Sequence, residues 1–322
     1  MKQFIIRRLL QSIPTIIGAS IVIFLVFSLA PGDYLTIKFG EDPNITPERM
    51  AELRELYGFN KPLYEQYISW IGDILKGDLG VSLVHQKPVT TVINTFMWNS
   101  FIIAICVLAL QWLIAAVVGI YAAIKQYSIY DSFVTLLVFI AMSFPSFFLG
   151  LLLLKWLAVD YRLFPVGGMV TTGVNYTGLD YIWDVAKHLA LPVITLTLLG
   201  VGSLTRYFRT SMLEVIRQDY VRTARAKGLK ERVVIFKHAL RNALLPLITL
   251  FALELPGLFS GAIITERIFN WPGIGRVTLE SIYLRDYPLI MGFTLFIGIL
   301  TVLANILADV LYGVADPRVR HK

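Results

Sequence analysis

Long stretches without a formal charge dominate this chain and limit what it can become. They cover 9 to 32, 88 to 124, 132 to 154, 188 to 205, 242 to 265 (with Glu254 inside) and 287 to 308. A helix needs about 20 residues to cross a bilayer, and each stretch is of that order. Charged residues make up 16% of the 322 and hydrophobic residues 56%, where a soluble domain carries about 25% charged residues. Hydrophobicity this high excludes a disordered chain, the lone Cys106 excludes a disulfide scaffold, and no glycine period marks a collagen-like fibre. The pattern is that of an all-α polytopic membrane protein with six transmembrane helices.

The first stretch follows Lys2, Arg7 and Arg8 and resembles a secretory leader, but its 24 residues exceed the ~7 to 15 of a signal-peptide core. Pro31 after Ser28-Leu29-Ala30 also disfavours cleavage there, so the segment is expected to remain as an anchor. Six crossings with the N-terminus inside put 17 of the 29 basic residues on the inner face, with a net charge of +12, and leave the outer face at −3. Excess Lys and Arg on the cytoplasmic side orients membrane proteins. Both termini are therefore expected in the cytoplasm, and the overall +7 needs no nucleic acid to explain it.

Between the first two crossings lies a long outer segment with 6 basic and 9 acidic residues. Pro47 can open one short helix there and Pro62 another, the second carrying Leu63, Tyr67, Trp70, Ile71, Ile74 and Leu75 at helical spacing before Gly77 and Gly80 interrupt it. It reads as a cap on the membrane surface or on neighbouring loops, compatible with docking of an external partner. The second crossing is expected from near Trp98 to Ile124, with 88 to 97 as an interfacial lead-in. The third is expected from Phe133 to Trp156, where Pro145 either kinks the helix for function or is plain membrane-helix structure. Residues 163 to 179, rich in Gly and Thr, read as a loop.

Ser211 to Ile248 is basic and too amphipathic to cross. Val215, Ile216, Tyr220, Val221 and Ala224 form an apolar strip, small Ala224 and Ala226 allow close approach of another surface, and Gly228 permits a turn between two short helices. Such an elbow fits contact with a cytoplasmic protein and also contact with anionic lipid headgroups. The run Tyr220-Val221-Arg222-Thr223-Ala224-Arg225-Ala226-Lys227-Gly228-Leu229, followed by Arg241-Asn242-Ala243-Leu244-Leu245-Pro246, resembles the coupling loop of ABC importer permeases, above all the dipeptide and oligopeptide family, which also includes nickel-related members. Against the generic importer pattern of Glu-Ala-Ala, three residues and Gly, only Ala224 and Gly228 agree, and the later proline is displaced to Pro246. Glu266 to Arg276, with Arg285-Asp286-Tyr287-Pro288, is similar to that family's last external loop. Arg7-Arg8-Leu9-Leu10, Ile13-Pro14, Ala30-Pro31-Gly32-Asp33, Gly77-Asp78-Leu79-Gly80 and Asp316-Pro317-Arg318 extend the likeness over nearly the whole chain, and the long first external segment looks like the B-type subunit.

The resemblance implies a permease subunit importing dipeptides or oligopeptides across a bacterial or archaeal cytoplasmic membrane by alternating access. Its implied partners are a second permease subunit, two cytoplasmic ATPases that bind ATP and Mg, and an external or periplasmic binding protein. Residues 1–33 would hold the N-terminal tip and first crossing, 34–97 the extracellular segment, and 98–322 the permease core with its coupling loop at about 211–245. Asp219, Tyr220 and Arg222 through Leu229 would form the ATPase contact. Each of Arg222, Arg225 and Lys227 suits an acidic partner group as well as a solvated or lipid-facing role. The family also carries nickel chelates, glutathione and oligosaccharides, so cargo stays open.

No G-x-x-x-x-G-K-[ST] loop, His-Glu-x-x-His pair or G-x-S-x-G elbow occurs in the chain. No cofactor, metal or catalytic residue is expected within it. Glu254 is the one carboxylate inside the fifth crossing, where a charge demands a partner or water. It fits either a peptide ammonium on the translocation path or a helix–helix hydrogen bond. A secondary transporter would show inverted repeats and several intramembrane charges, and an intramembrane enzyme would need paired polar groups; neither pattern is visible.

Overall fold

The computed structural model describes residues 2–32, 34–39, 45–56, 58 and 60–315. Asp33, Glu41 and Asp42 of the outer acids, and the Asp316-Pro317-Arg318 motif with Arg320 and Lys322, lie outside the described residues. The chain is 78% helical, without strands among the described residues. Among the described residues, five helices are long and apolar enough to cross a membrane, and a sixth crossing is available if a pair bent by 98° counts as one span.

Helix α1 (Lys2–Ser28) packs along the last helix and carries Pro14 without a break. Short helices α2 (Tyr34–Phe39), α3 (Pro47–Leu56) and α4 (Leu63–Leu75) follow, with α3 opening at Pro47 and α4 just after Pro62. The expectation of a cap on neighbouring elements holds for α4, whose Tyr67 and Trp70 rings surround the buried Phe24 of α1. Tyr67 Oη also lies 2.9 Å from Ser20 Oγ. Leu63 and Leu75, at the ends of α4, stay exposed.

Helix α5 (Val89–Ile124) is continuous, so 88–97 is no lead-in and the proposed boundary at 97 falls inside a helix. Proline suits the residue before a helix because its fixed φ and missing N–H cost nothing there, and Pro88 occupies that place. Val89, Val92 and Ile93 then continue inward against Ile274, Val277, Leu289 and Phe293.

Helices α6 (Ile129–Ser143) and α7 (Ser146–Leu153, continuing as a π-helical Leu154–Asp160) form the bent pair. The expected third crossing is therefore broken at Pro145 and begins four residues earlier than Phe133. A residue before proline is pushed out of the helical region; Phe144 is extended, at φ −83° and ψ 129°. Pro192, by contrast, sits within α8 (Gly178–Ile216). That helix outruns the uncharged stretch 188 to 205 because its polar residues find partners: Thr171 donates its N–H and Oγ1 to Asp184, each at 2.7 Å. The loop expected over 163 to 179 is irregular as far as Thr177, and its last two residues belong to α8, which begins at Gly178.

The elbow comprises α9 (Asp219–Ala226), α10 (Glu231–Val233), a π-helical Val234–Ala239 and α11 (Leu240–Ala243). The fifth crossing is broken into α12 (Leu245–Glu254), α13 (Gly257–Ser260) and α14 (Ile263–Ile268) by Pro256 and Gly261. Helix α15 (Ile274–Leu284) and the long α16 (Tyr287–Ala315) are the last elements among the described residues. The core runs between α5 and α8, where Ala115, Leu204 and Phe208 meet Leu247 of α12.

Candidate functional site

At one end of the bundle the elbow begins where Gln218 is extended and Asp219 occupies the first turn of α9. A carboxylate there complements the helix N-terminus. Val221 and Ala224 face inward, 0% and 5% exposed. They pack with Ala123 of α5, Met212 of α8, and Val234, Ile235, Ala239 and Ala243 of the return segment. Burying a valine is worth about 1.5–3 kcal/mol relative to leaving it in water. Ser211 Oγ donates to the Ala243 carbonyl at 2.6 Å, tying α8 to the far end of the elbow. A force applied to α9 is therefore delivered to α5 and α8 together, since packed cores resist deformation.

Gly228 has φ +75°, the left-handed conformation that ends α9 and reverses the chain. Across that turn Arg225 Nη2 meets Glu231 Oε1 at 2.7 Å, and Arg225 Nε lies within 3.2 Å of both carboxylate oxygens. The Arg225 hydrogen bonds hold the Glu231 carboxyl below its ordinary range, and Glu231 raises Arg225 in return.

The structure puts Asp219, Tyr220, Arg222, Thr223, Arg225, Ala226, Lys227, Gly228 and Leu229 on the exposed side of the elbow, while Ala224 is buried within it. Three expectations change. Tyr220 leaves the inner strip, 43% exposed, because α9 begins only at Asp219 and its inward stripe falls on Val221 and Ala224. Ala224 is small to fit its own chain's core, which leaves Ala226 as the small residue open to another surface. Arg225 is engaged by Glu231, which leaves Arg222 and Lys227, of the three basic groups singled out in α9 and its turn, as those better placed to meet an outside acid. Arg222 is only loosely paired with Asp219, at 3.8 Å.

At the opposite end two acids are fully buried. Glu266 accepts from Ser100 Oγ of α5 at 2.5 Å, Ala262 N–H at 3.1 Å and Arg276 N–H at 2.9 Å. A Cβ at Gly273 would run into the Glu266 carboxyl group, so the chain wraps the carboxylate this closely with glycine there. Trp271, 0% exposed, donates Nε1–H to the Asn99 carbonyl at 3.0 Å, and Asn99 Nδ2 returns a bond to the Pro272 carbonyl at 2.8 Å. Asp286, also 0% exposed, accepts from Ser82 Oγ at 2.5 Å, Leu83 N–H at 3.1 Å and Val84 N–H at 3.2 Å. It clamps the segment before α5 to the α15–α16 junction.

Sequence reasoning used Glu266 and Asp286 only as letters of a likeness. An acid bordering an apolar run with glycines seven and nine positions later was the available signal for the Glu266 cage; nothing local signalled Ser82 as partner of Asp286. Two ion pairs were also missed. Arg209 of α8 makes a bidentate contact with Asp131 of α6 at 2.6 and 2.8 Å. Arg8 of α1 meets Asp309 of α16 at 3.1 Å. The demand that Glu254 find a partner is met from α5: Trp112 Nε1–H and Gln111 Nε2–H both reach its Oε2, at 2.7 and 3.2 Å. Both contacts run from α5 to α12, the helix–helix hydrogen bond that was one of the two expectations for Glu254.

These features define a multi-pass helical membrane protein with an exposed basic elbow at one end and carboxylate-clamped loops at the other. The chain belongs to the family of binding-protein-dependent transport system inner membrane components, whose model matches residues 115–321 while the model of its N-terminal part matches 1–105. It is 40% identical over 322 residues to the oligopeptide transport system permease protein AppB of Bacillus subtilis strain 168, covering all of both chains. The dipeptide transport system permease protein DppB of Escherichia coli K12 is 38% identical, and the di/tripeptide permease protein DppB of Pseudomonas aeruginosa UCBPP-PA14 is 36% identical, each alignment covering all of both chains. In fold, the chain resembles the MetNI methionine ABC transporter in an inward-facing form, with a TM-score of 0.53 at 15% identity over 70% of this chain and 97% of that one.

Proposed function

We propose that this chain is the membrane-spanning permease subunit of an ATP-driven importer of dipeptides or oligopeptides in the cytoplasmic membrane of a bacterium or archaeon. End-to-end similarity to permease proteins of three peptide transport systems carries this reading. The elbow end, richest in basic residues, faces the cytoplasm with both termini. A second permease subunit completes the pathway, and an external binding protein delivers the peptide.

ATP and Mg are bound by two separate cytoplasmic ATPases. Asp219, Tyr220 and the run Arg222, Thr223, Ala224, Arg225, Ala226, Lys227, Gly228 and Leu229 make the coupling element. Arg222, Thr223, Ala226, Lys227 and Leu229 touch the ATPase, Ala224 anchors the element, and Gly228 with the Arg225–Glu231 pair sets its angle. When the ATPases close on nucleotide, the elbow moves as one body, and α5 and α8 move with it through the Val221 and Ala224 core. The bundle then alternates between inward-open and outward-open forms. Glu254 borders the translocation path and meets the ammonium end of the peptide, with Trp112 and Gln111 holding its carboxylate.

Purification of the chain from its own membrane tests the assembly: ATPase subunits recovered in stoichiometric amount are expected, and full transport by the isolated chain would overturn it. Mass analysis of the ligand retained by the co-purified binding protein tests cargo. Peptide is expected; a nickel chelate, glutathione or an oligosaccharide would keep the machine and replace the substrate. Glu254→Gln is expected to lower uptake of a labelled peptide about tenfold, the loss of one charge-assisted contact, and unchanged uptake would remove Glu254 from the path.

A further inference from the structure

Helix α15 turns one face to its own core and another outward. Ile274, Val277 and Ser281 are buried, while Arg276, Leu279, Glu280 and Tyr283, three and four positions apart, line a cavity of about 340 Å³. Arg267 of α14 and Asn270 close its other side. Arg267 stands one residue from the end of the fifth crossing at Ile268, and the other five lie between that crossing and the last one, which starts at Tyr287. The notch is therefore at the clamp end, outside the spans.

Its walls are fixed to the Glu266 cage. Arg267 follows the caged acid, Arg276 gives its own N–H to it, and Asn270 stands between Phe269 and Trp271, 2% and 0% exposed. Asn270 holds φ +47°, a left-handed conformation that asparagine tolerates better than most residues, and its Oδ1 accepts from Arg276 Nη1 at 2.5 Å. The Arg267 guanidinium lies over the Tyr283 ring, 5.9 Å from its centroid. Both arginines are thus placed by uncharged partners, and neither is in an ion pair among the described residues. Glu280, the one acid lining the cavity, pairs with neither, and Glu266 spends its oxygens on Ser100 Oγ and the Ala262 and Arg276 N–H groups. Two guanidiniums against one carboxylate leave the lining with a net charge of +1.

A pre-placed guanidinium without an acid is suited to a carboxylate or a phosphate. A lipid phosphate is disfavoured, because Leu279 is the only aliphatic lining residue and an acyl chain finds no wall. A dianionic phosphate exceeds the available charge and meets Glu280 as a like charge. One carboxylate balances the notch, and arginine beside tyrosine is the composition of protein–protein hot spots. We infer that this notch receives an acidic side chain of the external binding protein. The inference rests on the proposed reading that such a protein delivers the peptide to this end, and the family is that of binding-protein-dependent systems. Because α14 and α15 are fixed to the cage, the docked carboxylate would be held in one place above the crossings.

Titration of the purified binding protein against the complete transporter in vesicles tests this, read as stimulated ATP hydrolysis. Arg267→Glu with Arg276→Glu is expected to raise the half-saturating concentration about tenfold or more, with hydrolysis in the absence of binding protein unchanged. Arg267→Gln with Arg276→Gln adds no repulsion; it should raise half-saturation about threefold and flatten its dependence on salt. The thermal midpoint in micelles checks that both variants fold. A photo-crosslinking p-benzoylphenylalanine in place of Tyr283, with both arginines intact, is expected to capture the binding protein. Half-saturation unchanged in both variants, or crosslinks confined to lipid or to the second permease subunit, would overturn the docking site and leave the importer reading standing. A parent transporter that the binding protein fails to stimulate would overturn that reading and the docking site with it.

Discussion

The two ends of the bundle use charge in opposite ways. The elbow keeps its cations on the outside and holds itself together with apolar side chains and exposed ion pairs. The far end buries two carboxylates completely and surrounds them with backbone N–H groups and serine hydroxyls. A buried carboxylate with fixed donors cannot shift without losing several charge-assisted bonds at once. An exposed cation can exchange partners at little cost. The buried carboxylates fix loops and helices in one geometry, while the exposed cations leave the elbow a surface whose charges can change partners.

The strongest way to break this contrast is at the clamp. Glu266→Ala strands three donors in a dry site and is expected to cost about 3–5 kcal/mol of folding stability, read as a fall in the chemical-unfolding midpoint in micelles. A loss below 1 kcal/mol would mean that the cage is open to water. Asp286→Ala should follow, at about 2–3 kcal/mol, with faster proteolysis of the 78–88 segment as its specific sign. At the elbow the expected losses are smaller. Gly228→Val forces a β-branched residue to φ +75°, a strain of about 1–2 kcal/mol, and should uncouple ATP hydrolysis from uptake beyond that loss. The double reversal Arg222→Glu with Lys227→Glu sharpens the contrast most: stability should stay within about 0.5 kcal/mol while peptide uptake falls about tenfold or more. Equal losses of stability and uptake would erase the distinction between the ends.

The smallest effect concerns Arg225 and Glu231. Both are substantially exposed, so their pairing is worth less than about 1 kcal/mol after solvent screening. Glu231 titrates lower in the folded chain than in the unfolded one. Its contribution is therefore complete above the unfolded carboxylate value and is lost as pH falls through the lower folded one. Hydrogen exchange at the Lys227–Lys230 turn should be unchanged between pH 8 and pH 6 when corrected for intrinsic rates, and should rise only in acid. Arg225→Ala should remove that acid dependence.

Much of the architecture was legible because lipid imposes a simple rule: a run of about 20 uncharged residues must be a crossing helix. The two short helices that start at Pro47 and just after Pro62 were legible for a local reason, since proline suits a helix start. Val221 could be placed inward, and Gly228 at the turn, from helical spacing and backbone freedom alone, whereas Ala224, read also as open to another surface, is buried in its own chain's core. Errors arose where distant partners decide. The run beginning at Val89 joined α5 because Ile274, Val277 and Leu289 cover it. Pro145 broke its helix while Pro192 did not, and composition does not distinguish them.

Residue order was enough to establish a helical, multi-pass membrane subunit with a basic elbow, because periodicity, charge bias and turn chemistry are encoded within a few neighbouring residues. Which charges are spent inside the protein and which stay available could not be read that way. Glu266 finds Ser100, Asp286 finds Ser82 and Glu254 finds Trp112 across more than 140 positions, and pairings over such distances exist only once the helices have packed.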